Sequence, residues 1–419
     1  MIQPNFAVLW STWMKNSSLV CLCVGLILSG CVGFQKPSDV RDRGVFVMER
    51  NEYEARLRSQ VGQTPEQSLR QFRVDLSGVS VPDSTRVFQT VWHNPPVSQD
   101  LTGSCWAFGS TSFFESEVYR LFGQKTKISE MYTVYWEYVE KARRYVQQKG
   151  NSVFGRGSQP NATIRIWKEY GAVPAESYPG RPSESTIQDH ARMVSAMQDY
   201  LATVQKRKLW DEEEVVAAIR VILDKYMGKP PSEVLVNGQR MSPKDYLSKV
   251  LKLDLDAYVN VMSLMQQPFF EQVEYEVADN WWHSSDYSNI PVDLFIKTIR
   301  SAVNKGFSVC IAGDTSEAGL IPSMNVALIP TFDITSRFID DAARQFRFSN
   351  SSTTDDHVVH LIGHKGLGNW YLMKDSGTSA RNGKCDGYMF YQEDYIKLKM
   401  MNFLVHKSIL EEVLAQSRP

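Results

Sequence analysis

Neither sign of charge prevails in this chain, which sets 46 basic side chains against 47 acidic ones with no basic block. Gripping nucleic acid by its phosphates takes a strong positive excess, so nucleic acid is excluded as the expected partner. A long hydrophobic run is lacking too: the apolar stretch Leu19 to Leu28 falls well short of the ~20 residues a membrane-spanning helix needs. Internal repeats and low-complexity tracts are absent. Cysteine is scarce, with six in the chain. What is present, 43% hydrophobic residues, is ample for a buried core and fits a globular enzyme or binding protein of one large domain or two ordinary ones.

The first 31 residues stand apart. Met14-Lys15 gives a cationic start, Leu19 to Leu28 an apolar stretch, and Ser29-Gly30 small residues before Cys31, the pattern of a secretory signal. Leu28-Ser29-Gly30-Cys31 resembles a bacterial lipobox, which implies that Cys31 is diacylated and becomes the new N-terminus. Val32 behind it resembles the Gram-negative pattern for outer-membrane sorting. The expectation is an exported protein held on a bacterial membrane through its N-terminal lipid. Cys21 and Cys23 then leave with the signal, and the mature domain keeps Cys105, Cys310 and Cys385. Three thiols cannot all pair, so one is free. Cys310, in the apolar run Phe307 to Ala312, has the setting of a buried structural thiol, and a bridge from it to Cys385 stays open.

Residues 32–85 are polar and suit a spacer with an N-terminal arm. Helical spacing begins at Cys105: Ala107, Thr111, Phe114, Val118 and Leu121 share a face that Glu115, Glu117 and Arg120 do not, and Gly123 is a natural stop. Further helices are predicted over 129–148 and 160–170. From Thr186 to about Met262 the pattern is helical again, with Asp211 and Glu214 set as a capping box, Gly228 as a stop and Ser242-Pro243 as a new start. After Pro291 the chain turns to short β-like runs at 307–312, 325–329, 357–363, 370–374 and 388–391. Helices first and strands later predict segregated α and β layers, an α+β fold.

The chemistry concentrates in Gln99 to Phe108. A cysteine in the first turn of a helix feels the positive end of the macrodipole, which favours thiolate. Its own backbone N–H is an orphan donor able to hold an oxyanion. Gly103-Ser104-Cys105-Trp106-Ala107-Phe108 resembles the motif around the nucleophile of papain-like cysteine peptidases, a form of which is a known signature. Gln99, six residues ahead, stands where that family keeps its oxyanion-hole glutamine. Thr102 replaces a disulfide cysteine of the family, so that bridge is absent.

Asp356-His357 followed by Val358 to Gly363 resembles the family's histidine motif and opens an alternating apolar strand. His360 lies an odd number of positions away and points to the other face, and His364 falls after the glycine. No single face gathers three of Asp355, Asp356, His357, His360 and His364, so no metal is expected. Asp375, in Met373-Lys374-Asp375-Ser376-Gly377, stands where the family orients its histidine with asparagine. An aspartate can accept the ring N–H and stabilise imidazolium. Gly377 replaces the tryptophan that shields this pair, which leaves it wetter unless another aromatic covers it.

The resemblance is strongest to the bleomycin hydrolase and aminopeptidase C branch, through Ile128 to Tyr132, Tyr170 to Pro174, Tyr178-Pro179, Ser242 to Tyr246 and Leu255 to Val259. It implies a papain-like α+β fold, a helical layer on an antiparallel β-barrel-like layer, over residues 86–415 with a helical insertion at about 183–290. It also implies thiol aminopeptidase activity on peptide or protein substrates, no cofactor, and a homo-oligomer, hexameric in that branch. Gly157-Ser158 matches a Gly-Gly pair lining the substrate groove, and the added hydroxymethyl is expected to narrow it. Residues 416–419 form a tail too short for the branch's groove-plugging arm, which predicts an open groove and internal cleavage. The rival expectation is an inactive peptidase-fold binding lipoprotein. Transfer of the acyl group to an amine is a further use of the same residues.

Overall fold

The computed structural model describes residues 42–182, 186–366 and 369–417, all within one compact unit of the chain. The expected signal segment with Cys31, and the terminal Arg418-Pro419, lie outside them. Among the described residues no helix is long and apolar enough to cross a membrane.

The helical layer forms largely where spacing and caps place it. Cys105–Phe122 is a helix closed by Gly123 at φ +65°, whose N–H reaches Tyr119 O at 2.7 Å. That left-handed step costs glycine no Cβ clash. Ser129 caps Glu130–Gln147 by accepting the Tyr132 N–H at 3.1 Å, and Pro160 opens Pro160–Tyr170. Asp211 accepts the Glu214 N–H at 2.9 Å and starts Glu212–Met227, packed beside Ala191–Arg207. Phe113, Phe114, Tyr135, Trp167, Met197 and Ile219 are buried together between these helices.

The β layer is one large sheet. Six neighbouring strands run antiparallel in the order Tyr388–Gln392, Trp370–Lys374, His357–Lys365, Val309–Gly313, Met400–His406 and Tyr258–Met262. Val309, Ile311, Val359, Leu361 and Phe403 fill its own core. The Cys105 helix lies against the His357 strand: a Cβ on Gly109 would stand 2.9 Å from Val358 Cγ1, so only glycine permits this approach. The two layers thus bring the cysteine and histidine motifs side by side.

Several expectations are corrected. Tyr258–Met262 is a strand rather than helix, because pairing with Met400–His406 overrides its local pattern. Val292–Asn304 is a helix with Val292, Phe295, Ile296, Ile299 and Val303 buried on one face, inside the region assigned to strands. Glu115 and Glu117 are 0% and 1% exposed, so the Cys105 helix is enclosed on every side from Trp106 to Val118, while Leu121, expected on its buried face, is exposed. Lys127, Asn94 and Arg120 partner those carboxylates, as burial of a charge requires. The arm is structured too: Arg43–Glu49 pairs antiparallel with Leu69–Asp75 around the helix Glu52–Gln60. Cys105, Cys310 and Cys385 are all free thiols, which removes the Cys310–Cys385 bridge.

Candidate active site

Cys105 is the first residue of its helix, and Ser104 before it makes no side-chain cap. The Ser104 hydroxyl is instead tied to Thr102 Oγ1 at 2.5 Å, and Thr102 in turn donates to Gln99 O at 2.7 Å. These short links, with Asp100 and Gly103 both at positive φ, fold the chain tightly into the helix. Cys105 stays half-exposed while Trp106 behind it is 1% exposed and donates to Arg156 O.

His357 opens its strand facing Cys105, and its Nε2 lies 2.8 Å from Asp375 Oδ1. Nδ1 is therefore the nitrogen left for the sulfur. Asp375 Oδ1 also accepts the Gly377 N–H at 2.7 Å, and the Asp375 N–H is held by Gly387 O at 2.9 Å. The side chains are 12% and 4% exposed. Burial by itself opposes a charged ring, but the Asp375 carboxylate and the Cys105 sulfur outweigh it and hold His357 well above the ordinary imidazole range. For Asp375, burial pushes upward, while His357, the Gly377 N–H and Arg381 prevail and hold the carboxyl below its usual value. Both shifts favour an imidazolium beside carboxylate, the state that sustains a thiolate.

Gln99 is anchored to the residue after Asp375. Its N–H donates to Ser376 O at 2.9 Å and its Oε1 accepts from Ser376 Oγ at 2.7 Å. With Oε1 occupied, the Nε2 donors remain for a ligand, and the Cys105 N–H, at the helix start, has no backbone acceptor among the described residues. A groove of about 350 Å³ runs beside these groups, lined by Gln99, Gly103, Arg156, His357, Gly377 and Thr378. A larger cavity of about 640 Å³ lies under the Arg43–Glu49 ladder and holds none of Cys105, His357 or Asp375.

Residues 48–417 match the peptidase C1-like family. The chain belongs to that family. PepW from Lactobacillus rhamnosis shares the fold at a TM-score of 0.60 and 16% identity, covering 80% of this chain and 87% of that one. A structure concerning the mite allergens Blo t 1 and Der p 1 aligns at a TM-score of 0.37 and 14% identity over 80% of this chain and 74% of that one. No curated protein sequence matches. The architecture is thus a papain-like α+β fold of a C1-like peptidase.

Within that C1-like frame the departures acquire physical explanations. Gly377 stands in place of the tryptophan, yet the His357–Asp375 pair is nearly enclosed, its side chains 12% and 4% exposed. The backbone itself covers it: a Cβ at Gly377 would lie 3.1 Å from both His357 Cε1 and Asp375 Oδ1. Beyond it, Thr378 Oγ1 donates to Glu54 Oε2 and accepts from Asn51 Nδ2, each at 3.0 Å, which brings the helix Glu52–Gln60 over the same edge. Ser158 does not narrow the groove. Its hydroxyl turns inward, 3% exposed, and donates to Glu137 Oε1 at 2.6 Å.

The remaining histidines separate as strand alternation requires. His360 is fully buried and bonded to Ser112 Oγ at 2.8 Å, and burial keeps it neutral by lowering it well below the ordinary range. Asp356 faces Thr315, accepting its N–H at 2.9 Å. Among the described residues no three His, Cys, Asp or Glu side chains converge as a metal site. Sequence inspection missed Glu137, the buried carboxylate that accepts from Ser158 and Trp281, because no local pattern ties it to residues 158 and 281.

Proposed function

We propose that this C1-like peptidase hydrolyses peptide bonds in peptides or proteins, with Cys105 as nucleophile, His357 as acid and base, Asp375 as the residue orienting the ring and Gln99 as an oxyanion donor. The observation that carries the proposal is the single imidazole bridging Cys105 and a buried carboxylate 2.8 Å away. Cys105 Sγ adds to the scissile carbonyl, and the oxyanion is received by Gln99 Nε2 and the Cys105 N–H. His357 Nδ1 then gives its proton to the departing amine, leaving a thioester. Water attacks that thioester with the now neutral His357 taking its proton, and the thiolate–imidazolium pair is restored. Asp375 keeps Nε2 occupied throughout, so Nδ1 is always the working nitrogen.

Incubation of the purified protein with a peptide library, with cut positions mapped by mass spectrometry, tests this. Cuts by wild type that vanish in Cys105→Ala support hydrolysis. Unchanged peptides would leave an inactive binding protein, and products joined to an added amine would mean acyl transfer. For location, we propose that Cys31 carries lipid and holds the enzyme on the outer membrane. Cys31→Ser is expected to move it to the soluble exported fraction, and unlipidated wild-type protein in the cytosol would refute this.

A further inference from the structure

Besides His357 and Arg156, the groove at the active site is lined by the charged side chains of Glu54, Arg58, Asp100 and Asp189. Each of those four is engaged. Glu54 Oε1 accepts from Arg58 Nε at 2.9 Å, and its Oε2 accepts from Thr378 Oγ1 at 3.0 Å. Asp189 accepts from Gln63 Nε2 at 2.7 Å and from the Ala191 N–H at 2.9 Å. Asp100 accepts the Gln188 N–H at 3.0 Å. The Arg156 guanidinium differs: it makes no hydrogen bond or ion pair among the described residues, and the residue is exposed in the groove wall.

Arg156 is nevertheless held in place. Lys141, 1% exposed, donates its ammonium to the carbonyls of Gly155 and Gly157, the residues on either side. The Arg156 carbonyl accepts Trp106 Nε1–H at 3.3 Å. Its stem lies over Gly103, where a Cβ would stand 3.0 Å from Arg156 Cδ. Gly103 and Trp106 bracket Cys105, so the guanidinium is moored to the turn that carries the nucleophile. Two neighbours feel its charge, and neither is a counter-ion. Burial first and Arg156 second lower His190 to about 3, while burial raises Tyr138 despite Arg156, so both are neutral.

A planar guanidinium with free N–H donors matches a carboxylate, which it can hold through two parallel hydrogen bonds. A lysine side chain would be repelled, and a neutral one gains no ion pair. During turnover the acyl residue is bonded to Cys105 Sγ, while the departing amine is drawn to His357 Nδ1. The side chain of the acyl residue is then the substrate group kept beside the Gly103–Trp106 turn. Resting on the peptidase reading above, we propose that Arg156 is a specificity residue whose guanidinium pairs with the carboxylate of an aspartate or glutamate side chain on the residue whose carbonyl Cys105 attacks.

Coumarin amides test this, because they keep the leaving group constant and vary only the acyl residue X. Two sets, X-amide with a free amine and acetyl-Ala-X-amide, each with X as Glu, Gln or Lys, serve an end-trimming or an internally cutting enzyme. In whichever set is cut, wild-type kcat/KM should favour Glu over Gln roughly fivefold, the upper range for a solvent-accessible ion pair, and Gln over Lys. High salt should shrink the Glu advantage. In Arg156→Gln the Glu and Gln substrates should become nearly equal, and in Arg156→Glu the order should invert in favour of Lys. Iodoacetamide labelling of Cys105 shows which variants keep the fold and nucleophile; if one does not, the other and the wild-type ranking with its salt dependence decide. Wild-type enzyme that cuts Gln or Lys substrates as fast as Glu would overturn the assignment and leave the peptidase reading standing. So would a Glu preference that survives in both variants. If no amide is cut, the cut positions in the peptide library decide: enrichment of Asp and Glu just ahead of the cut supports the proposal, and none overturns it. A library left uncut by wild type would sink both readings.

Discussion

Replacing Asp375 by alanine isolates what the orienting carboxylate contributes. The bond removed is charge-assisted, 2.8 Å long, and made by side chains 12% and 4% exposed, so solvent screens it little. A hydrogen bond to a charged group contributes about 1.5–3 kcal/mol. If that contribution is present mainly when His357 is imidazolium, kcat should fall roughly 10- to 150-fold, at about 1.4 kcal/mol per decade. The pH profile carries a second signature. A raised imidazole stays protonated to higher pH, so the thiolate–imidazolium pair is lost only as pH climbs past that raised value. Without Asp375, burial, the largest influence on the ring, acts in the lowering direction against Cys105 alone. The alkaline limb of kcat/KM should therefore move to lower pH. Asp375→Asn keeps an oxygen for both the ring N–H and the Gly377 N–H but loses the charge. It should retain substantial kcat and still show the displaced limb. Steady-state kinetics across pH for the three proteins measure both effects. Wild-type kcat with an unmoved alkaline limb in Asp375→Ala would refute the orienting role.

Gln99→Ala removes one of two oxyanion donors and should lower kcat about 10²–10³-fold with little change in KM; a large rise in KM alone would contradict that assignment. Iodoacetamide should label Cys105 first, because Cys310 is fully buried and burial pushes its thiol well up. Peptide mapping that found Cys310 labelled ahead of Cys105 would be inconsistent with the account. Ser158→Ala leaves the buried Glu137 one donor short and should cost about 1.5–3 kcal/mol of stability, read as a lower thermal midpoint. An unchanged midpoint would show that the Ser158–Glu137 bond contributes little. Gly377→Ala should lower kcat by crowding His357 and Asp375, and unaltered kinetics would show that the backbone there does not hold the pair.

What the sequence made legible is local. Gln99, Cys105 and His357 sit in short contiguous motifs whose residue types already dictate a helix start and a strand start, and the structure brings them together. Asp375 was legible because its segment resembles the family's orienting segment on the strand after the histidine, and that strand, Trp370–Lys374, pairs directly with the His357 strand. What stayed hidden depends on contacts between distant segments. Glu54 meets Thr378 across 324 positions, and Glu137 meets Trp281 across 144. Glu115 and Glu117 looked like solvent-facing charges because spacing reports a helix's pattern, not whether other layers enclose it.

The central claim is a thioester on Cys105. A peptide ester with a good leaving group, mixed with enzyme and acid-quenched on the millisecond timescale, should give protein heavier by the acyl group, with that mass on the peptide containing Cys105. The adduct should decay as free acid appears and be missing in Cys105→Ala. Turnover without any acyl adduct, or an adduct mapped to another residue, would contradict the account.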